Sequence, residues 1–227
     1  MTVIFKSKNG KTTIQKIGKE KYKITFPYSG HTKRFWVNFN WAILGETQKM
    51  KSVSGEKRAR EFRATSVQTL SQFLSHGHRL TYRQALNLFK MVGQQLHALE
   101  IFGHTILSLD IDNIVVVNEK KFLLVDDMHI GDIKNNMVEI KKIGYLKNIQ
   151  KNKFVAPEVK KINSFPSKIL PYSGFYNLAA LTLYCLFNTH YALGKEEILN
   201  PLFHTKLYWG LKRCLDKDPK KRFFLLI

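Results

Sequence analysis

The pattern of apolar and polar positions divides the chain into a β-rich start and a mainly helical remainder. Apolar and polar residues alternate through much of residues 1 to 40, and Asn9-Gly10 stands between two alternating runs. Such a pair between alternating runs is a strong signal for a β-hairpin. The segments "KYKITF" and "KRFWVNFNW" continue the alternation. We therefore expect antiparallel strands in this part of the chain.

Two amphipathic segments predict helices in the next part of the chain. The first covers residues 53 to 75, is charged at its start, and has a break near Ala64-Thr65-Ser66. The second begins at Thr81, because Thr81 and Gln84 have the spacing of a capping box, and it is expected to end before Gly103. Its apolar face has residues at helical spacing: Leu88, Val92, Leu96 and Leu99.

Continuous apolar runs predict the core elements of the remaining chain. The runs "IVVV" and "FLLV", joined by Asn118-Glu119-Lys120, indicate a short buried hairpin. A lysine-rich loop is expected next, followed by the segment "FVAPEV". The run "FYNLAALTLYCLF" is uniformly apolar, which is typical of a central buried helix, and "TKLYWGLKRCLDKDPKKRFFLLI" contains the last predicted helix.

The composition is that of a globular protein, with 227 residues of which 44% are hydrophobic. No apolar run reaches the length that spans a bilayer, and "MTVIFKSKNG" lacks the apolar core of a signal peptide. We therefore expect no transmembrane segment and no secretion. Cys185 and Cys214 each lie in an apolar segment, which predicts two buried free thiols in a reducing compartment. No Cys and His cluster has the spacing of zinc ligands.

The charge is strongly unbalanced, with 37 Lys and Arg residues against 17 Asp and Glu residues, a formal net charge of +20. The excess is largest in residues 1–63 and recurs from Lys134 to Lys161. Such a surface attracts polyanions, so the expected partner is an acidic protein, a nucleic acid or an anionic membrane surface. Solubility combined with a coding bias toward lysine is the alternative explanation. The basic residues are dispersed, which does not support sequence-specific readout.

A set of short motifs follows in a specific order from about residue 66 onward. The segment "LHALE" is followed by "SLDIDN", which ends in Asn113, and by "VDDM", which supplies Asp126. Later come "APE", with Glu158 as its last residue, and "DKDPKKR", which ends in Arg222. This order resembles the C-terminal lobe of a protein kinase, whose motifs include H-R-D-x-x-x-x-N, D-F-G and A-P-E, followed by D-P-x-x-R.

The resemblance implies an α+β fold with two lobes. A mainly helical kinase-like C-lobe would cover residues 65–227, and a reduced β-rich N-terminal lobe, with the start of a helix, would cover residues 1–64. In this family the residues at Asn113 and Asp126 hold magnesium bound to ATP. The resemblance also implies that Glu158 and Arg222 form a buried ion pair, which would tie the A-P-E segment to the last helices.

The loop that would carry catalysis departs from the family pattern. The catalytic Asp falls on Ser108, and the His and Arg before it fall on Ile106 and Leu107. The lysine that would contact the transferred phosphate falls on Asp110, and the D-F-G turn on Asp126-Asp127-Met128. Serine is a poor base at neutral pH, and Asp110 adds negative charge where a cation is needed. The loop is therefore expected to be disabled, with Asp110 as the residue that could act as a displaced base.

Other departures affect the N-terminal lobe and the central helix. A single glycine occurs where the family has a glycine-rich loop, and Asn38 falls on the position of the phosphate-pairing lysine. Glu56 or Glu61 is the candidate for the helix Glu, although a solvated face is the favoured explanation on a helix this charged. The Asp that begins the family's central helix is replaced by Gly174 or Phe175.

Three functions remain open from the sequence. The first is a catalytically impaired kinase-like protein, or pseudokinase, that works as a binding or scaffold protein, with ATP and magnesium binding by Asn113 and Asp126 undecided. The second is an active, unconventional Ser/Thr protein kinase that uses Asp110. The third is a basic nucleic-acid-binding or virion-associated protein that reuses the fold. The chain also resembles minimal kinase-like proteins of large DNA viruses, which implies the host cytoplasm or the virion as its location.

Overall fold

A computed structural model of the chain describes residues 1–7, 12–25, 51–53, 56–126, 129–141 and 143–225. It combines antiparallel sheets with several helices, in agreement with a mixed α+β fold class. The chain forms two compact units, namely Met1–His78 with Ile111–Met128, and Arg79–Asp110 with His129–Ile227. The first unit thus includes residues on both sides of the expected boundary between residues 64 and 65. The assignment of N-terminal and C-terminal lobes stays a prediction.

The elements are numbered in chain order within the described ranges. The strands are β1 (Thr2–Lys6), β2 (Thr13–Gly18), β3 (Lys21–Thr25), β4 (Lys51–Val53), β5 (Glu56–Arg63), β6 (Val67–Thr69), β7 (His104–Ile106), β8 (Ile114–Val117), β9 (Lys121–Leu124), β10 (Ile130–Lys134), β11 (Met137–Ile140) and β12 (Ser167–Ile169). The α-helices are α1 (Leu70–Phe73), α2 (Tyr82–Ile101), α3 (Ile143–Gln150), α4 (Pro157–Lys160), α5 (Ser173–Phe187) and α6 (Lys206–Cys214).

The first unit contains a five-stranded antiparallel sheet in the order β1-β2-β3-β5-β4. Strands β1, β2 and β3 confirm the alternation that the first part of the sequence shows. The predicted Asn9-Gly10 turn and residues 33–41, with Asn38, lie outside the described ranges. One face of the sheet supplies most of its buried apolar side chains: Phe5, Ile14, Tyr22, Ile24 and Phe62. Ala59, on the other face, is also buried.

The helix predicted over residues 53 to 75 is wrong. Most of this stretch is extended, as β5 and β6, and within it α1 is the α-helical part. Its charged residues have high helix propensity, but β3 and β4 pair with β5 from both sides and satisfy its backbone groups. Phe62 also stacks on Tyr22 of β3, with ring centroids 5.7 Å apart. Contacts between distant segments therefore override the local preference.

The predicted hairpin of residues 114 to 124 is confirmed. Strand β8 pairs with β9 on one side and with β6 on the other, and every residue of β8 is buried. Asn118 and Glu119 of the turn adopt the left-handed conformation, with φ of 51° and 57°. The Asn118 side-chain oxygen accepts a hydrogen bond from the backbone N–H of Thr65 at 2.8 Å. Asparagine tolerates this conformation better than most residues, which favours a turn at this place.

The helices of the second unit follow the apolar periodicity of the sequence. Helix α2 starts with the predicted capping box, because Gln84 N donates to Thr81 Oγ1 at 3.3 Å and Thr81 N donates to Gln84 Oε1 at 3.0 Å. Helix α5 is nearly completely buried and packs against both α2 and α6. The thiols of Cys185 and Cys214 are buried and free, as predicted. These helices form the core of the second unit.

A second antiparallel sheet, in the order β12-β11-β10-β7, lies beside these helices in the same unit. The lysine-rich loop predicted in this region is wrong, because β11 and α3 occupy much of it. Asn135 and Asn136 join β10 to β11 and both adopt left-handed φ values, 50° and 58°. A two-residue turn of this kind matches the twist of an antiparallel pair, and Asn is among the residues that favour it.

Candidate functional site

Asn113 and Asp126, the expected magnesium ligands, lie at the same end of the β8–β9 hairpin in the first unit. Ile114 pairs with Leu124, so the antiparallel register brings the residues that flank these strands together. Asn113 Nδ2 donates a hydrogen bond to Asp126 Oδ2 at 3.1 Å. The backbone N–H of Val125 donates to the Asn113 carbonyl oxygen at 2.9 Å. The hairpin therefore positions an amide and a carboxylate side by side.

This pair has the chemistry of part of a magnesium site. Both side chains are buried, with 6% of Asn113 and 4% of Asp126 exposed. Magnesium prefers oxygen ligands, and in nucleotide sites it combines one or two protein groups with phosphate oxygens and water. Among the described residues, no group of three or more His, Cys, Asp and Glu side chains could hold a metal ion. The pair supplies one carboxylate and one amide oxygen, which are ligand types that magnesium binds, and a magnesium ion here would need its other ligands from elsewhere.

In the second unit, Ser108 is held by a side chain from a distant segment. The amide nitrogen of Asn152 donates to Ser108 Oγ at 2.9 Å and to the Leu109 carbonyl oxygen at 2.6 Å. The side-chain oxygen of Asn152 accepts a hydrogen bond from the backbone N–H of Phe154 at 2.8 Å. Only 3% of Ser108 is exposed. The Ser108 hydroxyl, which the resemblance aligns with a kinase's catalytic Asp, is therefore an acceptor in a buried hydrogen-bond network.

Two polar side chains of helix α5 form hydrogen bonds with the backbone of Ile106 and Leu107, directly before Ser108. Asn177, fully buried, donates to the Leu107 carbonyl oxygen at 3.0 Å and accepts from the Ala156 backbone N–H at 3.0 Å. Ser173 Oγ donates to the Ile106 carbonyl oxygen at 3.4 Å. Unpaired buried backbone groups are costly, so these bonds satisfy the segment while they fix its path.

The two residues expected at the position of the family's central-helix Asp make different contacts. A Cβ on Gly174 would lie 3.0 Å from the Ile106 carbonyl oxygen, so glycine permits the close approach of α5 to this segment. The ring of Phe175 instead stacks on Phe224, with centroids 6.0 Å apart. Asn177 and Ser173 are thus the polar side chains of α5 that form hydrogen bonds with this segment.

Asp110 directly follows the buried residues 106–109, and it is more exposed than Ser108. Its side chain is partly exposed, whereas Ser108 and Leu109 are buried. The carboxylate of Asp110 is an acidic group at the end of this segment that solvent reaches. Exposure alone does not assign Asp110 a role, because a general base is defined by hydrogen-bond reach to the proton that it removes.

Glu158 and Arg222 form the ion pair that the resemblance implies. Arg222 Nη1 donates to Glu158 Oε1 at 2.6 Å and Nη2 donates to Oε2 at 3.1 Å, a bidentate geometry. The Arg222 side chain is completely buried, its Nε donates to the Asp216 carbonyl oxygen at 2.7 Å, and its guanidinium lies 4.9 Å from the centre of the Tyr176 ring. Burial raises the pKa of Tyr176 to about 12, with Tyr191 adding to the increase and Arg222 opposing it.

No protein-family model matches this chain, and no curated protein sequence matches it. Its function is therefore inferred from its own residues and their contacts.

The sequence did not single out two residues that contact this segment, Asn152 and Asn177. A weak signal existed for Asn177, because a polar amide inside the apolar run "FYNLAALTLYCLF" needs a buried partner. Asn152 carried no such signal, since it lies in a lysine-rich segment where a surface position is the ordinary expectation. In both cases the partner is a backbone group far away in the sequence.

The expected remnants of a nucleotide-binding lobe have ordinary structural contacts where the structure describes them. Glu56 and Glu61, the candidates for a helix Glu, lie on strand β5 and not on a helix. Glu61 pairs across the sheet with Lys21, with Nζ and Oε2 2.7 Å apart. Asp127 and Met128, the altered part of the D-F-G turn, lie outside the described residues.

No helix in the described ranges is long and apolar enough to cross a membrane.

Proposed function

We propose that this protein is a kinase-like protein that has lost phosphoryl transfer and works by binding other molecules. One observation supports the proposal most directly. Ser108 takes the position of the family's catalytic Asp, it is buried, and its hydroxyl accepts a hydrogen bond from Asn152. A hydroxyl in this state cannot take a proton from a substrate at neutral pH, because its own basicity is far too low.

The charge of Asp110 supports the same proposal. Phosphoryl transfer depends on positive groups that offset the charge on the transferred phosphate. Asp110 supplies a carboxylate where the family has a lysine, so it repels the phosphate that the lysine would attract. A second change in the same loop thus acts against catalysis.

The contacts that hold the second unit together are nevertheless elaborate. Arg222 and Glu158 keep a bidentate buried pair, and Asn177 ties the A-P-E segment to α5. Burying charge is costly unless the pair is well formed, so such contacts favour a rigid platform. A rigid platform without a catalytic base is suited to a scaffold or docking role.

Magnesium-nucleotide binding is a separate part of the proposal. Asn113 and Asp126 would hold the metal, which, when bound with ATP, would neutralise the phosphate charge. Bound nucleotide in such a protein would stabilise the fold without being consumed. The test is thermal unfolding with and without magnesium and ATP, on the wild type and on Asp126→Asn.

Ligand at about 100 times its dissociation constant stabilises the folded state by about 2.7 kcal/mol, which raises the Tm of a chain of this size by several degrees. A shift in the wild type that is absent in Asp126→Asn, together with no transfer of labelled phosphate to a protein substrate, supports a nucleotide-binding pseudokinase. No shift in either protein would remove the nucleotide from the proposal. Labelled phosphate transfer that Asp126→Ala abolishes would overturn the loss of catalysis.

The second candidate is an unconventional Ser/Thr kinase in which Asp110 acts as the base. It is favoured by the partial exposure of Asp110 two residues from Ser108. In that case Asp110→Asn should abolish turnover and leave the unfolding curve unchanged, because the substitution keeps the size of the side chain. Absence of phosphate transfer with magnesium or manganese would remove this candidate.

A further inference from the structure

The outer side of helix α6 combines basic and aromatic side chains. Four exposed residues recur at intervals of one to three positions along one face: Lys206, Trp209, Lys212 and Arg213. The residues on the opposite face are buried: Leu207, Tyr208, Gly210, Leu211 and Cys214. Phe203, just before the helix, is also exposed. We call Phe203, Lys206, Trp209, Lys212 and Arg213 the α6 surface.

The exposed rings of the α6 surface are held in place by a buried one. Trp209 lies edge-on to Tyr208, with centroids 5.1 Å apart and an interplanar angle of 82°. Phe203 meets the same ring at 5.2 Å and 90°. Tyr208 is 8% exposed, whereas Trp209 is 50% and Phe203 is 52% exposed. Phe203 also packs against the ring of His204, with centroids 4.1 Å apart. Two large aromatic side chains are therefore held in place by neighbouring rings while about half of each stays exposed to solvent.

Positive charge lies next to these rings. The ammonium of Lys212 is 5.6 Å from the centre of the Tyr208 ring and 6.0 Å from that of Trp209. The guanidinium of Arg213 is 5.2 Å from the ring of Phe223, which is 43% exposed. Helix α6 contains three basic residues and no acidic one. Its outer face is thus positive and aromatic along its whole length.

We propose that the α6 surface binds single-stranded nucleic acid. Unpaired bases stack on the open rings of Trp209 and Phe203, and the basic side chains of the surface neutralise the backbone phosphates. An acidic peptide would use the same positive charges, but its carboxylates gain nothing from open aromatic faces. The combination of rings and cations therefore favours nucleic acid. This inference rests on the binding role proposed above and names a surface and a partner for it.

The test is the binding of fluorescein-labelled oligodeoxythymidylate to the full chain, followed by anisotropy at several salt concentrations. An oligonucleotide of about 20 nucleotides covers the usual single-strand site of about 4–16 nucleotides. We expect Trp209→Ala to weaken binding by about 5- to 140-fold, the loss of one base stack. Trp209→Phe should restore most of the affinity, because it keeps an aromatic face. Lys212→Gln should reduce the slope of log affinity against log salt by about 0.7.

Two variants on helix α2 serve as matched controls. Ile101→Ala removes an apolar side chain that is 68% exposed, and Lys90→Gln removes one exposed positive charge. Both should leave the affinity within about twofold and the salt slope unchanged if binding is local to the α6 surface. Normal unfolding curves for Trp209→Ala exclude misfolding as the cause of weaker binding.

Three outcomes would overturn the inference. They are no binding at low salt, equal affinity of Trp209→Ala and the wild type, or displacement of the oligonucleotide by polyglutamate as effectively as by unlabelled oligonucleotide. The last would indicate an acidic protein partner. Trp209 is not part of the Asn113–Asp126 pair. The thermal shift with magnesium and ATP therefore tests the proposed function separately from the oligonucleotide binding. A negative result in one experiment leaves the other unaffected.

Discussion

Asn152 donates its side-chain amide to the hydroxyl oxygen of Ser108 over 2.9 Å, although the two residues are 44 positions apart in the chain. The same amide nitrogen also donates to the Leu109 carbonyl oxygen, and the amide oxygen accepts from the Phe154 N–H. One side chain therefore connects two segments of the second unit. It also engages the Ser108 hydroxyl in a structural contact, which agrees with the proposal that this residue does not act as a base.

Removal of this connection should destabilise the protein. In Asn152→Ala the Leu109 carbonyl and the Phe154 N–H lose their side-chain partner, and we expect the free energy of unfolding to fall by about 1–3 kcal/mol. Urea unfolding measures the change. Asn148→Ala, at an exposed position of α3, is the matched control and should change the free energy by less than about 0.5 kcal/mol. Equal losses in the two variants would contradict the structural role of Asn152.

The amide of Asn177 should be more important than another buried polar group of the same helix. Asn177→Leu leaves the Leu107 carbonyl and the Ala156 N–H without this partner, for an expected loss of about 2–5 kcal/mol. Thr182→Val is the control, since Thr182 is equally buried and bonds only within α5, to the Leu178 carbonyl. That variant loses one hydrogen bond within the helix and should lose less than about 1.5 kcal/mol in the same urea experiment. A larger loss in Thr182→Val than in Asn177→Leu would refute the bracing role.

The Glu158–Arg222 pair should be strongly destabilised by removal of one partner. Glu158→Gln leaves the buried guanidinium without a counter-charge, and we expect a loss of about 3–5 kcal/mol. Glu158→Leu combined with Arg222→Met removes both charges and should lose less than the sum of the single changes. Lys141→Ala breaks an exposed pair with Glu139 and should lose no more than about 1 kcal/mol. Additive single losses in the double variant would show that the two side chains act independently.

Alkaline pH should destabilise the protein in a defined window. Burial raises the pKa of Tyr176 from 10.0 to about 12, and it raises the pKa of the Cys214 thiol from 9.0 to about 12. The folded state thus favours the neutral forms, so their contribution to stability is complete below about pH 9. It is lost as the pH rises toward 12, because the unfolded chain releases these protons first.

The measurement is the urea midpoint as a function of pH from 8 to 11.5. Tyr176→Phe removes one of the groups that titrate in this window, so we expect a shallower decline than in the wild type. Tyr82→Phe, at a tyrosine that is 41% exposed, is the control and should follow the wild-type curve. A decline in Tyr176→Phe as steep as that of the wild type would show that the Tyr176 phenol does not contribute.

Much of the local structure could be predicted because its signals lie within a few residues of one another. The capping box of Thr81 and Gln84 and the apolar face of α2 are properties of neighbouring positions. The β8–β9 hairpin follows from two apolar runs with a short turn between them, and its register explains why Asn113 and Asp126 meet. These features need no information about the rest of the chain.

The tertiary structure decided what depends on distant partners. Strand β5 is rich in residues that favour helices, and it is extended because β3 and β4 pair with it from both sides. The sequence does not indicate which groups Asn152 and Asn177 bind, and their importance comes from carbonyl groups that the fold places beside them. Local patterns were enough for helices α2 and α5 and for the β8–β9 hairpin, because their causes are capping hydrogen bonds and apolar runs of neighbouring residues. The hydrogen bonds around Ser108 form because segments far apart in the chain are buried against one another. No local pattern indicates which buried backbone groups will need a partner.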